Sequence, residues 1–372
     1  MKPARGATLD EARARDAVST YAAIAHASYQ DSLATARVLD EKIGAFLSAP
    51  SAESQEAAKQ AWLAARVPYV QTEVFRFYDG PIDRVELWVN TWPIDENFVD
   101  SSDPSLPPGV IGDRAHYPQL DEALLLKLNG ASSETSISTG YHVIEFLLWG
   151  QDTNPGGPGA RAFSDFVGEQ GSVQVRRGEY LRVASGLLVK QLSEVAAEWA
   201  PGVSTNFRAR LATMPVRNAL GLMFKGMGAL SGPELAGERL TVAYETKDQE
   251  NEHSCFSDST QRDMVGDAYG VENLCLGRYG RDTLGPGLCE LVKSVDASLG
   301  ETLQRQIRAS VAAARTIPAP FDQAILGPDT EPGRTAILKT IRALEAQTTS
   351  IAQSASALGA DLGLATAKAG AP

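Results

Sequence analysis

The sequence predicts an all-α protein made of two helical bundles in series with a cleft between them. Apolar residues recur at steps of three and four along most of the chain, which is helical spacing. Gly- and Pro-rich breaks separate these segments, and none of them shows the sustained alternation of a β-strand. The length of 372 residues suits two domains of roughly 150 residues or more. Helices with one apolar face bury that face against each other, so bundles are expected.

Helical spacing defines the elements in chain order. In the first half it covers residues 29–48, 54–78, 120–128, 132–149 and 175–199. In the second half it covers residues 207–230, 237–251, 259–269, 288–316 and 335–358. Pro68 predicts a kink in its helix. Pro201 and Gly202 end the last helix of the first half, so the domain boundary is placed there. Residues 1–200 are then the N-terminal bundle, and residues 201–372 are the C-terminal bundle.

The charge balance excludes two classes of partner. Acidic residues outnumber basic ones 46 to 34, which gives a formal net charge of −12, and no Lys/Arg-rich run occurs. Nucleic acids and anionic membranes attract clustered basic residues, so neither is an expected partner. The apolar stretches are far shorter than the roughly 18 residues of a membrane span, and no secretory signal is recognisable in the sequence as given. We therefore expect a soluble protein without a transmembrane segment.

The cysteines Cys255, Cys275 and Cys289 leave two arrangements open. They form no CxxC pair, so neither a zinc knuckle nor a thioredoxin motif is present. One disulfide with one free thiol fits an oxidising compartment, and three buried thiols fit a reducing one.

The most informative spacing lies between Gly140 and Glu145. On a helix, His142 and Glu145 occupy positions i and i+3, so their Cβ atoms lie about 5–6 Å apart. An imidazole nitrogen and a carboxylate oxygen at this spacing can both reach one cation, as in the iron sites of helical bundles. Gly140 lowers helix stability by about 1 kcal/mol relative to Ala, which is tolerated where a ligand or another backbone comes close. The alternative is an ordinary pair on a helix surface.

Two further segments concentrate polar groups. Residues 92–100 place three carboxylates among aromatic side chains, where a carboxylate needs a partner or a raised pKa. Residues 250–258 combine carboxylates, a histidine and hydroxyl groups directly before a helix, with Ser257 or Asp258 as its N-cap. The alternatives are a solvated turn for the first segment and a capping segment for the second.

Several strings of the sequence resemble the imelysin-like family. They are TEVFRFY with GPID at 72–83, WPIDE at 92–96, and GYHVIEFLLWGQD at 140–152, which contains a GxHxxE motif. Three later strings look like the iron-regulated protein A branch of that family: RRGEYL at 176–181, ELAGER at 234–239 and HSCFSD at 253–258. The resemblance runs in order from about residue 20 to residue 300.

The resemblance implies an exported bacterial protein, periplasmic or lipid-anchored, with two helical bundles and a site where they meet. It also implies a role in iron acquisition, with a membrane transport protein as an expected partner. Some members of the family are classed as metallopeptidases. One departure from the family is visible at Gln261, where a histidine is common. If that position supplied a ligand, binding would be weakened here.

The binding hypothesis assigns iron, or an iron chelate, to the site between the bundles. The candidate metal ligands are His142, Glu145, Asp95 and Glu96. The residues expected to line the site are Arg76, Trp92, Gly140, Glu238, Arg239, His253, Ser257 and Asp258. Carboxylate oxygens with a single imidazole suit iron better than a thiolate site would, and zinc is the second choice. The two arginines could instead hold an anionic group of a chelate by bidentate pairing.

Two other hypotheses use the same residues. HExxH, HxxEH, GxSxG and phosphate-loop motifs are absent from the sequence. A peptidase would use the His–Glu pair around catalytic zinc, which takes three protein ligands. The motif supplies two, so a carboxylate besides Glu145, either Glu96 or Glu238, would have to act as the base. A metal-free interaction module would keep the pair in a hydrogen-bond network completed by Arg239 or Asp95. The binding and uptake role is the one we favour.

Overall fold

The structure is a computed structural model that describes residues 8–101, 105–154 and 156–360. It is helical almost throughout, which confirms the all-α prediction. The α-helices are Glu11–Ser48 (α1), Ala52–Val70 (α2), Glu86–Val89 (α3), Glu96–Asp100 (α4), Glu122–Leu128 (α5), Tyr141–Trp149 (α6), Val173–Glu198 (α7), Phe207–Thr213 (α8), Val216–Ala229 (α9), Val242–Thr246 (α10), Thr260–Leu276 (α11), Leu288–Val295 (α12), Ala297–Ala314 (α13), Phe321–Ala324 (α14) and Pro332–Leu358 (α15). Short 3-10 helices are Glu73–Phe75, Ile82–Arg84, Phe163–Phe166 and Gln249–Asn251. The antiparallel strands Arg278–Tyr279 and Asp282–Thr283 form a two-residue ladder that periodicity does not predict.

Helices α1, α2 and α7 form the framework of the first half. Asp10 caps α1 by accepting hydrogen bonds from backbone N–H groups of the first turn. Ser51 and Ser54 form a reciprocal capping box at the start of α2. α1 packs along both α2 and α7, and the core includes the fully buried side chains of Trp62 and Trp199. Capped ends and a shared apolar interior stabilise these helices.

Helix α6 is shorter than the segment predicted at residues 132–149. It begins at Tyr141, because Gly140 has a φ of 96°, outside the helical region. A Cβ added at Gly140 would lie 2.7 Å from the carbonyl oxygen of Val89. The residues before Gly140 form a turn held by Asn129, whose side-chain oxygen accepts hydrogen bonds from two following backbone N–H groups. Gly140 is therefore a turn residue at the helix start, and the prediction that it lies inside the helix is wrong.

Two prolines and one aspartate interrupt segments that the sequence predicts as continuous helices. α2 ends at Val70, two residues after Pro68, so this proline marks the end of the helix and not a kink within it. Pro215 separates α8 from α9, and Asp296 separates α12 from α13 by capping the latter through its side chain. Backbone hydrogen bonding explains these breaks. Proline has no N–H group to donate within a helix, and the aspartate side chain accepts hydrogen bonds from the first turn of the next helix, which starts a new helix at that point.

The segment predicted as a helix at residues 237–251 takes another form. A π-helix runs Leu230–Thr241 and continues directly into α10. Pro233 lies within it and has no N–H to donate, which disfavours a regular α-helix there. π-helices are rare and often lie at functional sites, and this one places Arg239 against α11.

The main hydrophobic core includes side chains from both sides of residue 200. A smaller core lies where the π-helix packs with α14 and α15. Helix α11 contacts both α2 and the 3-10 helix Glu73–Phe75, so it brings residues of the second half against the first. The division into bundles at residue 200 stays a prediction.

A disulfide joins Cys275 at the end of α11 to Cys289 at the start of α12. Cys255 is a buried free thiol. This is the first of the two arrangements that the sequence leaves open, and it is typical of an oxidising compartment.

Candidate functional site

His142 and Glu145 form a buried pair on α6. The distance between His142 Nδ1 and Glu145 Oε2 is 2.9 Å, which agrees with the proximity that their spacing predicts. Both side chains are fully buried in the core. An ordinary pair on a helix surface therefore does not describe them.

Ser257 connects this pair to the second half of the chain. Its backbone N–H and its hydroxyl both donate to Glu145 Oε1, at 3.0 and 2.6 Å. The N-cap of α11 is Ser259, so the prediction that Ser257 or Asp258 caps this helix is wrong. The Ser257 side chain faces Glu145 instead, which leaves both oxygens of Glu145 hydrogen-bonded to protein groups.

The second ring nitrogen of His142, Nε2, is buried and has no hydrogen-bond partner among the described residues. The His142 ring lies against Trp92, at 5.1 Å between centroids, and against His253, at 4.8 Å. Burial lowers the pKa of His142 well below its usual range, and nearby His253 and Arg66 act in the same direction. Burial raises the pKa of Glu145 to about 8 despite its hydrogen bonds from Ser257. His142 is therefore a neutral imidazole with one free nitrogen.

A buried ion pair between α2 and α11 lies beside His253. Arg66 Nη2 is 2.6 Å from Asp263 Oδ2, and the same carboxylate oxygen is 2.9 Å from His253 Nδ1. The hydroxyl of Ser254 donates to this oxygen at 2.6 Å. Arg66 also hydrogen-bonds the side-chain oxygen of Asn90. Although burial favours the neutral acid, Arg66 and His253 hold the pKa of Asp263 far below its usual range.

A second charged group surrounds Arg239 of the π-helix. Its Nη2 lies 2.5 Å from Glu73 Oε2, and its Nη1 lies 2.8 Å from Asp267 Oδ2. Arg76 Nη1 is 2.6 Å from the same oxygen of Glu73, and Glu234 Oε1 is 2.8 Å from Arg239 Nη2. Although burial favours the neutral form, the two arginines lower the pKa of Glu73 to about 2. Both guanidinium groups are thus occupied by carboxylates of the chain itself.

A cleft of about 330 Å³ is lined by Arg76 and Arg239 of the second charged group and by His253, which contacts Asp263 of the first. Its wall includes Trp92 and His253, the two rings that cover His142. The charged residues that line it are Arg76, Glu86, Glu234, Glu238, Arg239 and Glu250. Burial, reinforced by nearby Glu73, raises the pKa of Glu86 to about 7, and one of its oxygens has no hydrogen-bond partner among the described residues. The cleft therefore carries more acidic than basic groups.

The remaining predicted site residues lie at different places. Asp95 caps α4 and lines a separate depression beside Phe98. Glu96 is partly buried, and one of its oxygens has no hydrogen-bond partner in the part of the chain that the structure describes. Burial together with Glu250 raises its pKa to about 7. Asp258 interacts with other carboxylates, and burial raises its pKa to about 7. The structure brings neither Asp95 nor Asp258 into contact with His142.

Most of the chain matches a known protein family. The family model described as Imelysin (Peptidase_M75) matches residues 25–351. This chain belongs to the imelysin family. Iron-regulated protein A of Synechococcus elongatus is 22% identical over 321 residues, which is 86% of this chain and 79% of that one.

Solved structures show the same fold for this imelysin. A structure described as an iron-regulated protein A precursor from Parabacteroides distasonis superposes with a TM-score of 0.74 at 19% identity, over 95% of this chain and 97% of that one. An imelysin-like protein from Psychrobacter arcticum gives a TM-score of 0.68 at 13% identity, over 96% and 99% of the two chains. None of the helices in the described ranges of this imelysin has the length and apolar character of a bilayer span.

The donor set of this imelysin does not fit a metal ion held by protein ligands alone. No three His, Cys, Asp or Glu side chains within the described ranges are arranged to hold one. His142 offers one nitrogen without a partner among the described residues, whereas both oxygens of Glu145 are already hydrogen-bonded, Oε2 to His142 and Oε1 to Ser257. The predicted sharing of one ion by His142 and Glu145 therefore finds no support in the positions of their atoms.

Several buried charges of the site are not predicted from the sequence. Glu73 lies in the TEVFRFY string at 72–78, but its role depends on Arg239, which is 166 residues away. Asp263 and Asp267 are four residues apart on α11, so helical spacing puts them on one face and could have indicated a buried pair. Arg66 gives no signal in the sequence, because an arginine within a helix is usually exposed.

Proposed function

We propose that this imelysin-family protein is exported and acts in iron acquisition by binding an iron chelate in the cleft in front of His142. The observation that carries the proposal is Nε2 of His142, which has no hydrogen-bond partner among the described residues and is separated from the cleft by the rings of Trp92 and His253. One of these rings has to turn aside for the iron to reach this nitrogen. A neutral imidazole nitrogen is a common metal ligand, and its other nitrogen is fixed here by Glu145, as in metal sites where a carboxylate orients the histidine.

A chelate suits the cleft better than a bare ion does. A bare ion needs several protein donors, and the described residues offer no set of three. A chelate brings most of its own ligands and leaves only one or two positions for the protein. The cleft volume of about 330 Å³ is at the low end of small-molecule sites and much larger than an ion requires.

The charge of the cleft favours a neutral or cationic iron complex. The acidic lining residues Glu86, Glu234, Glu238 and Glu250 exceed the basic ones in number. Arg76 and Arg239 are neutralised by Glu73, Glu234 and Asp267, so they do not attract an anionic chelate. This differs from the hypothesis in which the arginines hold a carboxylate of the ligand.

Two observations support export and the link to iron. The disulfide between Cys275 and Cys289 is of a kind that persists outside the reducing cytosol. Two of the similar proteins carry iron regulation in their names.

Titration calorimetry with two probes tests the proposal. We expect saturable binding of the 1:1 ferric complex of a linear dihydroxamate, a monocation that leaves two coordination positions open, and at least tenfold weaker binding to the variant His142→Asn. The Asn side-chain amide lies close to the position of Nδ1, so this variant keeps the hydrogen bond to Glu145 and lacks Nε2. His116→Asn is the matched control, because His116 is exposed and lies outside the cleft. Equal affinity of His142→Asn and wild type would show that His142 is not part of the site. Tight binding of ferrous ion without the dihydroxamate would show that the site holds a bare ion.

A metal-free binding module is the second candidate. The hydrogen bonds with His142 and Ser257 satisfy both oxygens of Glu145 without any ion, which is what this candidate requires. If neither iron probe binds wild type while the fold is intact, this candidate replaces the first. A peptidase role has no comparable observation in its favour, since catalytic zinc takes three protein ligands.

A further inference from the structure

A second concave surface lies between α2 and α11, on the other side of the Arg66–Asp263 ion pair. It encloses about 320 Å³. Residues 63, 66, 67 and 70 of α2 share one helix face along it, and Val265 and Tyr269 of α11 lie opposite. Val67 is 55% exposed, so part of this apolar wall faces solvent.

The charge of this groove is opposite to that of the cleft. Within the described ranges, Asp263 is the only acidic residue that lines it, and Arg66 neutralises this carboxylate at 2.6 Å. The other charged lining residues are Arg262 and Arg315, which are exposed and have no acidic partner among the described residues. Three arginines and one aspartate therefore line the groove, which gives it a positive charge although the formal net charge of the chain is −12.

We propose that this groove binds a small amphipathic anion, a medium-chain carboxylate free in solution. The apolar chain lies along Leu63, Val67 and Val265, and the carboxylate pairs with Arg262 and Arg315. Guanidinium groups bind carboxylates through paired hydrogen bonds, and the apolar wall contributes in proportion to the chain length buried. The groove volume is at the low end of small-molecule sites, which suits a chain of about ten carbons.

Calorimetry with decanoate, below its micelle-forming concentration, tests the proposal against two comparison ligands. Acetate has the same charge without the chain, and decanol has the chain without the charge. We expect saturable decanoate binding and at least tenfold weaker binding of both comparison ligands.

Variants locate the site. The double substitution Arg262→Gln/Arg315→Gln is expected to weaken decanoate binding about tenfold or more, because both paired charges are lost. Arg342→Gln is the matched control, since Arg342 is exposed on α15 and does not line the groove. Val67→Asp places a negative charge in the wall at an exposed position, so it is expected to abolish binding without unfolding the chain.

Three results would overturn the proposal. They are the absence of saturable decanoate binding, equal affinity of the double variant and the Arg342→Gln control, and decanol binding as tight as that of decanoate. The last would make the groove a purely apolar site.

Discussion

Glu252 is a buried carboxylate whose effect on the stability of the protein can be measured directly. The Glu252 side chain is fully buried, and the interaction of its carboxylate with the hydroxyl of Thr260 is too weak in geometry to count as a full hydrogen bond. Burial, reinforced by Asp322 and Asp258 and only partly opposed by Thr260, raises the pKa of Glu252 from the usual 4.5 to about 9. We expect the isosteric, uncharged variant Glu252→Gln to be more stable than wild type at alkaline pH.

The sign and size of the effect follow from proton linkage. The folded protein holds the Glu252 proton more tightly than the unfolded chain does, so this group stabilises the fold most at low pH. Its contribution declines as the pH rises from about 4.5 to about 9. Each pH unit in that range lowers the free energy of unfolding by about 1.4 kcal/mol. The loss caused by ionisation of Glu252 is therefore at most about 5 kcal/mol at pH 8 and less than about 1 kcal/mol at pH 5. Relaxation of the loop and entry of water reduce the upper value to a few kcal/mol.

Urea unfolding at pH 5 and at pH 8 is the assay. The expected result is a gain of a few kcal/mol in the free energy of unfolding of Glu252→Gln at pH 8, and almost none at pH 5. Glu345→Gln is the control, because Glu345 is exposed on α15. The reasoning fails if the gain is equal at the two pH values, or if Glu252→Gln is no more stable than wild type at pH 8.

The remaining predictions concern the ion pair, a turn and a thiol. Arg66→Met leaves Asp263 charged and buried, so it is expected to lower the free energy of unfolding by about 3–5 kcal/mol, and adding Asp263→Leu is expected to restore part of it in thermal unfolding. Gly140→Ala is expected to destabilise by about 2 kcal/mol or more, since the residue has a φ of 96° and Val89 leaves no room for a Cβ. Gly186→Ala in α7, where an added Cβ meets no atom within 4 Å, is expected to stabilise by up to about 1 kcal/mol. The buried Cys255 thiol is expected to react with a thiol reagent only after denaturation, and prior reduction of the disulfide is expected to add two further thiols.

The sequence predicts those features that depend on nearby residues. Helical spacing gives the fold class, because each helix carries its own apolar face. The contact between His142 and Glu145 is predicted for the same reason, since it depends only on the i, i+3 relation within one helix. The start of α6 is not predicted, because the φ of Gly140 is set by a turn around Asn129 and by the backbone of Val89.

Contacts between distant segments explain most of the rest. Ser257 binds Glu145 across 112 residues, and Arg66 binds Asp263 across 197. Periodicity identifies the buried face of each helix but not which helices face each other. From the sequence alone, a carboxylate in a polar segment can therefore be a helix cap, a metal ligand or an ion-pair partner, and only the packing of the helices decides among these roles. Asp95 is a cap and Asp263 is an ion-pair partner, although both lie in segments rich in polar residues.

The Arg66–Asp263 pair lies between two concave surfaces of opposite charge. The pair lines the groove between α2 and α11, while its hydrogen-bond partners Asn90 and His253 line the cleft. The cleft has an excess of acidic groups and the groove an excess of arginines, so the charge of a ligand decides which surface attracts it. Because His253 contacts both the ion pair and the His142 ring, a change in the packing of Arg66 reaches the free nitrogen of His142 through a single side chain. Titrations of Arg66→Met with the cationic ferric dihydroxamate complex would measure that coupling: weaker binding with an intact fold is the outcome that this arrangement requires.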